Sequence, residues 1–316
     1  MIKLSIDLPD GFLEEEERDG YVVLAEMKQA WAVQMDLLAQ LINVCQAHNL
    51  KVWVSDGTLL GTVRHHGFIP WDDDIDVMML REDYDKLVAI GNEAFDEPYF
   101  LQDAYSDTEY FYGHAQLRNS KTAAIRPHDS FQPYNLGVFI DIFVLDAVPE
   151  DETTRLSTLK ESNRIRRFLK AKNTNLLYSG RLTLAGRKLK AKRAVKKQGW
   201  QNIYRKSEEI LRSVSLKDCR FVAARSHSGD RDLFDKHIYD DTVWMDFEFM
   251  KVPAPKGYHD YLVEQYGKEY MTPKHVAANH GTLIIDTSRS YKEVLPEVRK
   301  AFKQSLFKRL WKKVSK

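Results

Sequence analysis

The sequence predicts a mixed α/β fold, and three observations lead to it. Residues 22–48 repeat apolar side chains at the spacing of one long helix. Short apolar or alternating runs at 51–55, 72–79 and 138–145 are typical of strands. A length of 316 residues, 43% of them hydrophobic, suits one large domain or two with a substantial core.

Local signals predict the elements between these runs. A brief helix is expected at 59–66, opened by Gly57-Thr58, with Gly67 in the left-handed conformation at its end. The strand at 72–79 leads into a helix at 81–91. Weaker strand patterns follow at 99–102, 114–118 and 122–125.

The composition changes along the chain and divides it into four segments. Residues 1–150 should form the N-terminal helix and the α/β core, and residues 151–240 a basic, mainly helical insert. Between residues 164 and 207 there are fifteen Lys or Arg and no Asp or Glu. Residues 241–290 return to mixed composition and should rejoin the core, and residues 291–316 form a basic tail.

Charge and cysteine content exclude several classes of protein. The 47 basic residues nearly balance the 46 acidic ones, so net charge alone indicates no polyanionic partner. Two cysteines are too few for a disulfide framework or a four-cysteine zinc site, and no zinc is expected. No secretory signal and no apolar run of the ~20 residues that a membrane span needs is found. These features predict a cytoplasmic protein.

A cluster of carboxylates is the strongest functional signal. Asp72, Asp73, Asp74 and Asp76 fall within five residues. A solvated acidic turn is one interpretation. Alternation with apolar residues instead predicts a strand that carries Asp72, Asp74 and Asp76 on one face. Carboxylates held on one face need a cation, and hard oxygen ligands favour Mg²⁺ or Mn²⁺.

Two further features support a phosphate and metal site. Gly57 and Thr58 at a helix start offer backbone N–H groups to an anion, about fifteen residues before the acidic strand. Asp141 lies between apolar neighbours on the strand predicted at 138–145, where an unpaired carboxylate would be costly. It is a candidate third metal ligand or general base, and the alternative is a strand-edge or capping residue.

At these residues the sequence resembles the LicD/fukutin family. The matching text is GTLLGTVRHHGFIPWDDDIDVMM, then VFIDIFVLDAVP and FEFMKVPAPKGYHDYLVEQYGKEYM, with His280 beyond. Gln116 stands where the family often has lysine. The resemblance implies a polymerase-β-type nucleotidyltransferase core, a mixed sheet flanked by helices, with the basic helical insertion added to it.

The resemblance also implies an activity. Better-understood members move phosphocholine from CDP-choline, or ribitol phosphate from CDP-ribitol, onto a sugar hydroxyl. It implies that Asp74 and Asp76 bind metal with Asp72 assisting, that Gly57 and Thr58 lie at the nucleotide phosphates, and that Asp141 is the third carboxylate. Two Mg²⁺ or Mn²⁺ ions are expected.

Other candidate site residues have weaker support. Arg64, Arg118 and Lys121 could bind phosphate, although Arg64 could equally pair with the acidic cluster and the other two could lie on a solvated strand edge. Trp71 could face a quaternary ammonium by cation–π contact or simply pack. Glu248 and His280 come from matching segments and could contact substrate; Glu248 could also be a satisfied half-buried carboxylate.

The basic segments suggest different partners. The insert lacks a nucleic-acid motif and interleaved aromatic residues, so no nucleic-acid partner is expected. The tail places apolar residues four apart among basic ones, which is typical of an amphipathic helix on an anionic membrane surface. A helix docked on the domain is the alternative. The apolar positions are Phe302, Leu306, Leu310 and Val314.

The predicted function is a metal-dependent phosphotransferase with a CDP-alcohol donor and a glycan acceptor, which could be lipid-linked. The protein would then be cytoplasmic or peripheral on the inner face of the membrane. One alternative is a nucleotidyltransferase that moves NMP from an NTP and releases pyrophosphate. A second is a non-catalytic glycan- or membrane-binding protein.

Overall fold

Helices and strands alternate through the part of the chain that the computed structural model describes: residues 1–173, 185–274 and 283–314, with side chains up to 305 in the last range. The helices are α1 (Ala25–Ala47), α2 (Asp56–His65), α3 (Arg81–Ile90), α4 (Glu152–Asn173), α5 (Ala185–Gln198), α6 (Trp200–Leu211), α7 (Tyr258–Tyr266) and α8 (Tyr291–Val314). The strands are β1 (Glu16–Arg18), β2 (Tyr21–Val23), β3 (Trp53–Val54), β4 (Asp76–Leu80), β5 (Tyr99–Gln102), β6 (Ala115–Asn119), β7 (Ala123–Ile125), β8 (Val138–Ala147), β9 (Phe221–Ala223), β10 (Phe234–Asp235), β11 (Thr242–Phe247), β12 (Met250–Pro255) and β13 (Ile284–Asp286).

The central sheet is mixed, and β8 is its axis. One edge of β8 pairs in parallel with β4, which pairs antiparallel with β3. The other edge pairs antiparallel with β6 in its first half and with β9 at its end. Strands β5 and β10 extend these two branches. This mixed sheet with flanking helices confirms the predicted α+β class and is consistent with a nucleotidyltransferase-type core.

The core lies between α1 and the sheet. All ten residues of β8 are buried. Helix α1 packs against β8 and β6, with Trp31, Met35 and Leu38 fully buried. Each such side chain contributes about 1.5–3 kcal/mol by leaving water. Helix α1 therefore backs the strands that carry the acidic residues.

Several predicted boundaries differ from the structure; the helix predicted at 59–66, for example, begins at Asp56. The long helix begins at Ala25 because residues 21–23 pair with β1. The strand predicted at 72–79 begins only at Asp76. His66, with φ 55°, takes the left-handed position predicted for Gly67 at the end of α2.

The basic region and the C-terminal helix pack on the core from outside. Helices α4, α5 and α6 contact one another, and a small apolar cluster joins them to Ala104 and Phe111. Val294 and Val298 of α8 are buried against the β7 region. Among the described residues, none of the helices combines the length and apolarity required to cross a bilayer.

Candidate active site

A cleft of about 500 Å³ opens where β4 and β8 meet the start of α2 and the loop after α7. Carboxylates dominate its lining, which also includes cationic side chains. The acidic residues are Asp56, Asp72, Asp74, Asp76, Asp141 and Glu269. The predicted acidic residues thus meet in one cavity, together with Asp56 and Glu269, which sequence analysis missed.

The parallel pair β4–β8 brings Asp76 and Asp141 together. The two residues are direct partners in the register, on strands ~4.8 Å apart. The N–H of Asp141 donates to the carbonyl of Ile75 (3.0 Å). The N–H of Asp76 donates to the hydroxyl of Thr58 (2.9 Å). Thr58 is buried and does not line the cleft, so its hydroxyl positions Asp76 rather than a phosphate.

Asp72 and Asp74 lie in the turn before β4, not on the strand. The indole N–H of Trp31 donates to the carbonyl of Asp72 (3.0 Å). The carbonyl of Asp73 accepts from the amide of Gln34 (2.8 Å). Both carbonyls are therefore occupied by α1 and unavailable to a strand partner, which is the physical reason that the predicted strand is shorter.

Gly57 lies in the first turn of α2, directly under the carboxylate of Asp72. A β-carbon at this position would lie 2.4 Å from Oδ2 of Asp72. Gly57 lines the cleft, as predicted, and it also makes room for Asp72. The preceding residue, Asp56, has φ 46°, a left-handed conformation that is uncommon for a residue with a side chain.

Burial and mutual repulsion raise the pKa values of the acidic group. The pKa of Asp74 is raised well above its usual value by burial and then by the charge of Asp72. That of Asp76 is raised by burial and then by Asp74. Burial raises the pKa of Asp56 to about 6. Concentrated, desolvated carboxylates of this kind favour a bound cation.

Asp141 has a different environment. Its Oδ1 contacts Nε2 of His114 at 3.1 Å and accepts from the amide of Gln116 at 2.7 Å. Burial would raise the pKa of Asp141, but His114 and Gln116 together bring it below its usual value. Among the described residues no hydrogen bond occupies Oδ2, and Asp141 lines the cleft. The carboxylate is thus held ionised with one oxygen toward the cavity.

Arg118 supports Asp141 indirectly. Its guanidinium is buried and donates to Gln116, to Oε1 of Gln102 (2.5 Å) and to the carbonyl of Gly137 (2.6 Å). It does not line the cleft, so the predicted phosphate contact is replaced by a role in orienting Gln116. Lys121 lies in the turn after β6 and is exposed outside the cleft.

Cationic side chains also line the cleft. Arg64 does so, as predicted, and donates from Nη1 to the carbonyl of Tyr270 (2.9 Å). Arg231 and Lys274 also line it, and sequence analysis missed both. Trp71 is part of the wall, where a substrate group could reach it. These residues give the cleft donors for an anionic ligand.

Glu248 lies outside the cleft. Its two oxygens accept from Nη1 and Nη2 of Arg18 at 2.5 and 2.8 Å, and Oε1 also accepts from the N–H of Phe68 (3.0 Å). This saturated carboxylate joins the β1–β2 and β11–β12 hairpins and corresponds to the alternative considered from the sequence. His280, the other substrate candidate of that region, lies outside the described residues.

Comparison with known proteins connects this site to a family. Residues 49–191 match the family model of the LicD/FKTN/FKRP nucleotidyltransferase domain. The chain is 24% identical over 254 residues to the lipopolysaccharide cholinephosphotransferase LicD of Haemophilus influenzae, covering 78% of this chain and 91% of that protein. An uncharacterised protein of Rickettsia prowazekii is 56% identical over 36 residues, 11% of this chain and 14% of that one.

Proposed function

We propose that the protein is a CDP-alcohol phosphotransferase, because residues 49–191 match the family model of the LicD/FKTN/FKRP nucleotidyltransferase domain. It would move phosphocholine or a related alcohol phosphate to a sugar hydroxyl of a cell-surface glycan, such as lipopolysaccharide or teichoic acid, and release CMP. The similarity to a lipopolysaccharide cholinephosphotransferase supports this reaction class. The structural observation that carries it is the convergence of Asp74, Asp76 and Asp141 on one cleft that cationic side chains also line.

The acidic residues suit Mg²⁺ or Mn²⁺, and we propose two ions. Asp72, Asp73 and Asp74 present oxygens within 4.8 Å of one another, but Asp73 does not line the cleft. Asp72, Asp74 and Asp76 would therefore hold the ions, and Asp141 would be the general base, because only its Oδ2 is open. When bound, the ions would supply positive charge beside the transferred phosphoryl group.

The chain's own groups would divide the remaining work. Arg64, Arg231 and Lys274 would bind the donor phosphates, because they are cationic and line the same cleft as the acids. Asp141 would accept the proton of the attacking hydroxyl at Oδ2, since Oδ1 is engaged by His114 and Gln116. A positioned base of this kind contributes ~10²–10⁴ in rate.

Product analysis tests the proposal directly. The full chain is incubated with a panel of CDP-alcohols and a glycan acceptor, with Mg²⁺ or with EDTA, and products are identified by mass spectrometry. CMP and a phosphodiester-linked glycan are expected with Mg²⁺ only. Pyrophosphate released from an NTP would instead indicate a nucleotidyltransferase. No turnover of any donor would leave a binding protein as the interpretation.

We extend the proposal to the end of α8. Its first turns are docked by Val294 and Val298, and Nε of Arg299 donates to the carbonyl of Ser130 (2.5 Å). The sequence from 303 to 316 carries six basic residues and no acidic one. The docked part corresponds to the alternative of a packed helix, and the remainder is proposed to bind an anionic membrane surface, where a lipid-linked acceptor would be found.

A further inference from the structure

A second cavity, of about 170 Å³, meets the cleft at Asp141. Asp141 and His227 line both spaces. Sites for drug-sized ligands usually have ~300–1,000 Å³, so this cavity suits a single small unit. Because it borders the same carboxylate as the cleft, a group bound there would lie next to the proposed reacting centre.

Three tyrosines form a fixed wall of this cavity. The ring centroids of Tyr110 and Tyr112 are 4.8 Å apart, and those of Tyr110 and Tyr134 are 5.5 Å apart with the rings nearly perpendicular. The hydroxyls of Tyr112 and Tyr134 lie 3.3 Å apart, and that of Tyr110 lies 3.3 Å from Nε2 of His114. An apolar wall with polar tips is a surface on which a sugar ring can pack.

Two charged side chains of the cavity have polar atoms available to bind a ligand. Arg126 lines it, and its guanidinium has no hydrogen bond or ion pair to any other described residue. Asp129 also lines it, and its carboxylate approaches only the exposed imidazole of His128 within the described part of the chain, at 3.5 Å. A donor and an acceptor in the lining of one cavity match the hydroxyl groups of a sugar.

The charges nearby disfavour a quaternary ammonium in this cavity. Nζ of Lys170 lies 3.6 Å from the centroid of the Tyr112 ring, so a cation already occupies that face. The guanidinium of Arg118 lies 4.6 Å from the centroid of Phe139, which also lines the cavity. Arg118 and Arg126 offset the carboxylates of Asp129 and Asp141 in the lining, so the cavity has no excess negative charge to attract choline, whereas a neutral polyhydroxy ring needs none.

We infer that this cavity is the acceptor subsite, in which one sugar ring packs on the tyrosine wall with its reactive hydroxyl at Asp141. The assignment rests on the proposed function. In the transfer, the hydroxyl oxygen bonds to the phosphorus, the bond from phosphorus to the CMP oxygen breaks, and the hydroxyl proton passes to Asp141. Arg126 and Asp129 are the specificity residues, because they would bond the other hydroxyls of the ring.

Binding can be measured without turnover. Saturation-transfer NMR on the full chain is recorded with free hexoses, N-acetylhexosamines and choline chloride as probes. We expect a hexose or N-acetylhexosamine signal that weakens at least tenfold in Arg126→Gln and in Asp129→Asn. Any choline signal should be the same in wild type and in both variants. The matched control is Arg205→Gln, an exposed residue that lines neither cavity, and it should bind as wild type.

Three results would overturn the inference. They are no binding of any sugar, sugar binding by both variants as strong as by wild type, and choline binding that these variants abolish. Kinetics provide a second arm. With an active CDP-alcohol, Arg126→Gln should raise KM for the glycan acceptor at least tenfold and KM for the donor far less. A rise in the donor KM alone would assign the cavity to the donor. If no CDP-alcohol is consumed, the proposed function fails, and the NMR experiment still decides whether the cavity binds a sugar.

Discussion

Replacing Gly57 by alanine should remove activity while leaving the fold intact. The added β-carbon would lie 2.4 Å from Oδ2 of Asp72, whereas ordinary contact begins near 3.4 Å. Asp72 must therefore move by roughly 1 Å, and a displacement of that size at a reacting centre can cost ~10²-fold in rate. That corresponds to about 2.7 kcal/mol in the barrier.

The thermal stability of Gly57→Ala, unlike its activity, should not fall. Asp72 is the flexible end of a side chain, so it can yield, and alanine is favoured over glycine within a helix by up to ~1 kcal/mol. The melting temperature of Gly57→Ala should equal or exceed that of wild type. Initial rates of CMP release and thermal unfolding are measured on the same preparation.

Gly186 supplies the matched control. It is likewise the second residue of its helix, α5, and a β-carbon there meets nothing within 4 Å. Gly186→Ala should gain the same helix stability and keep full activity. Wild-type activity in Gly57→Ala would refute the argument that Asp72 is held at a position the reaction requires. Unfolding of that variant would refute the claim that Asp72 can move away from the added β-carbon at little cost in stability.

The acidic residues and the tail permit four more tests. Asp76→Ala should abolish transfer without unfolding, while Asp246→Ala at an exposed site keeps activity; a loss under about tenfold, or ~1.4 kcal/mol, would remove the metal assignment. Asp141→Asn should lower turnover by ~10²–10⁴, and an unchanged rate with a lower melting temperature would indicate a structural carboxylate. Burial raises the pKa of Asp56 to about 6, so its protonated form stabilises the metal-free fold fully below the unfolded pKa of ~3.9, and this stability is lost as pH rises through about 6. Melting of metal-free protein should show this fall, Asp56→Asn should make it less steep near pH 6 while Asp74 and Asp76 still contribute, and an equal slope in both would contradict the assignment. Removing 306–316 should weaken binding to anionic vesicles but not neutral ones and spare transfer to a small soluble acceptor; unfolding, or vesicle binding that does not change, would show that the membrane proposal is wrong.

Elements with a strong apolar repeat could be predicted from the sequence alone. Helix α1 and strand β8 are predicted from their own residues, because a buried element needs apolar residues at helical or strand spacing whichever element packs against it. The beginning of β4 could not be predicted, because Trp31 and Gln34 take the carbonyls of Asp72 and Asp73 from a distant helix. The sequence of the acidic run itself gives no indication of those hydrogen bonds.

The same limit explains the site residues that were missed or reassigned. His114 reaches Asp141 only because β6 and β8 pair, and its own neighbours carry no motif. Asp56 resembles an ordinary first-turn acid until the fold buries it. Glu248 was a candidate for substrate contact because its segment resembles the family, with a satisfied carboxylate as the alternative; its partner, Arg18, lies 230 residues away in sequence.

Helix α1 has a consequence for what counts as the folding unit. It precedes the segment 49–191 that matches the family model, yet Trp31, Met35 and Leu38 complete the core beneath β8. The same match ends inside α5. A fragment cut at those limits would uncover the face of the sheet that α1 covers and would sever a helix. No residue before Asp56 lines the cleft, yet catalysis should be lost without the first 48 residues.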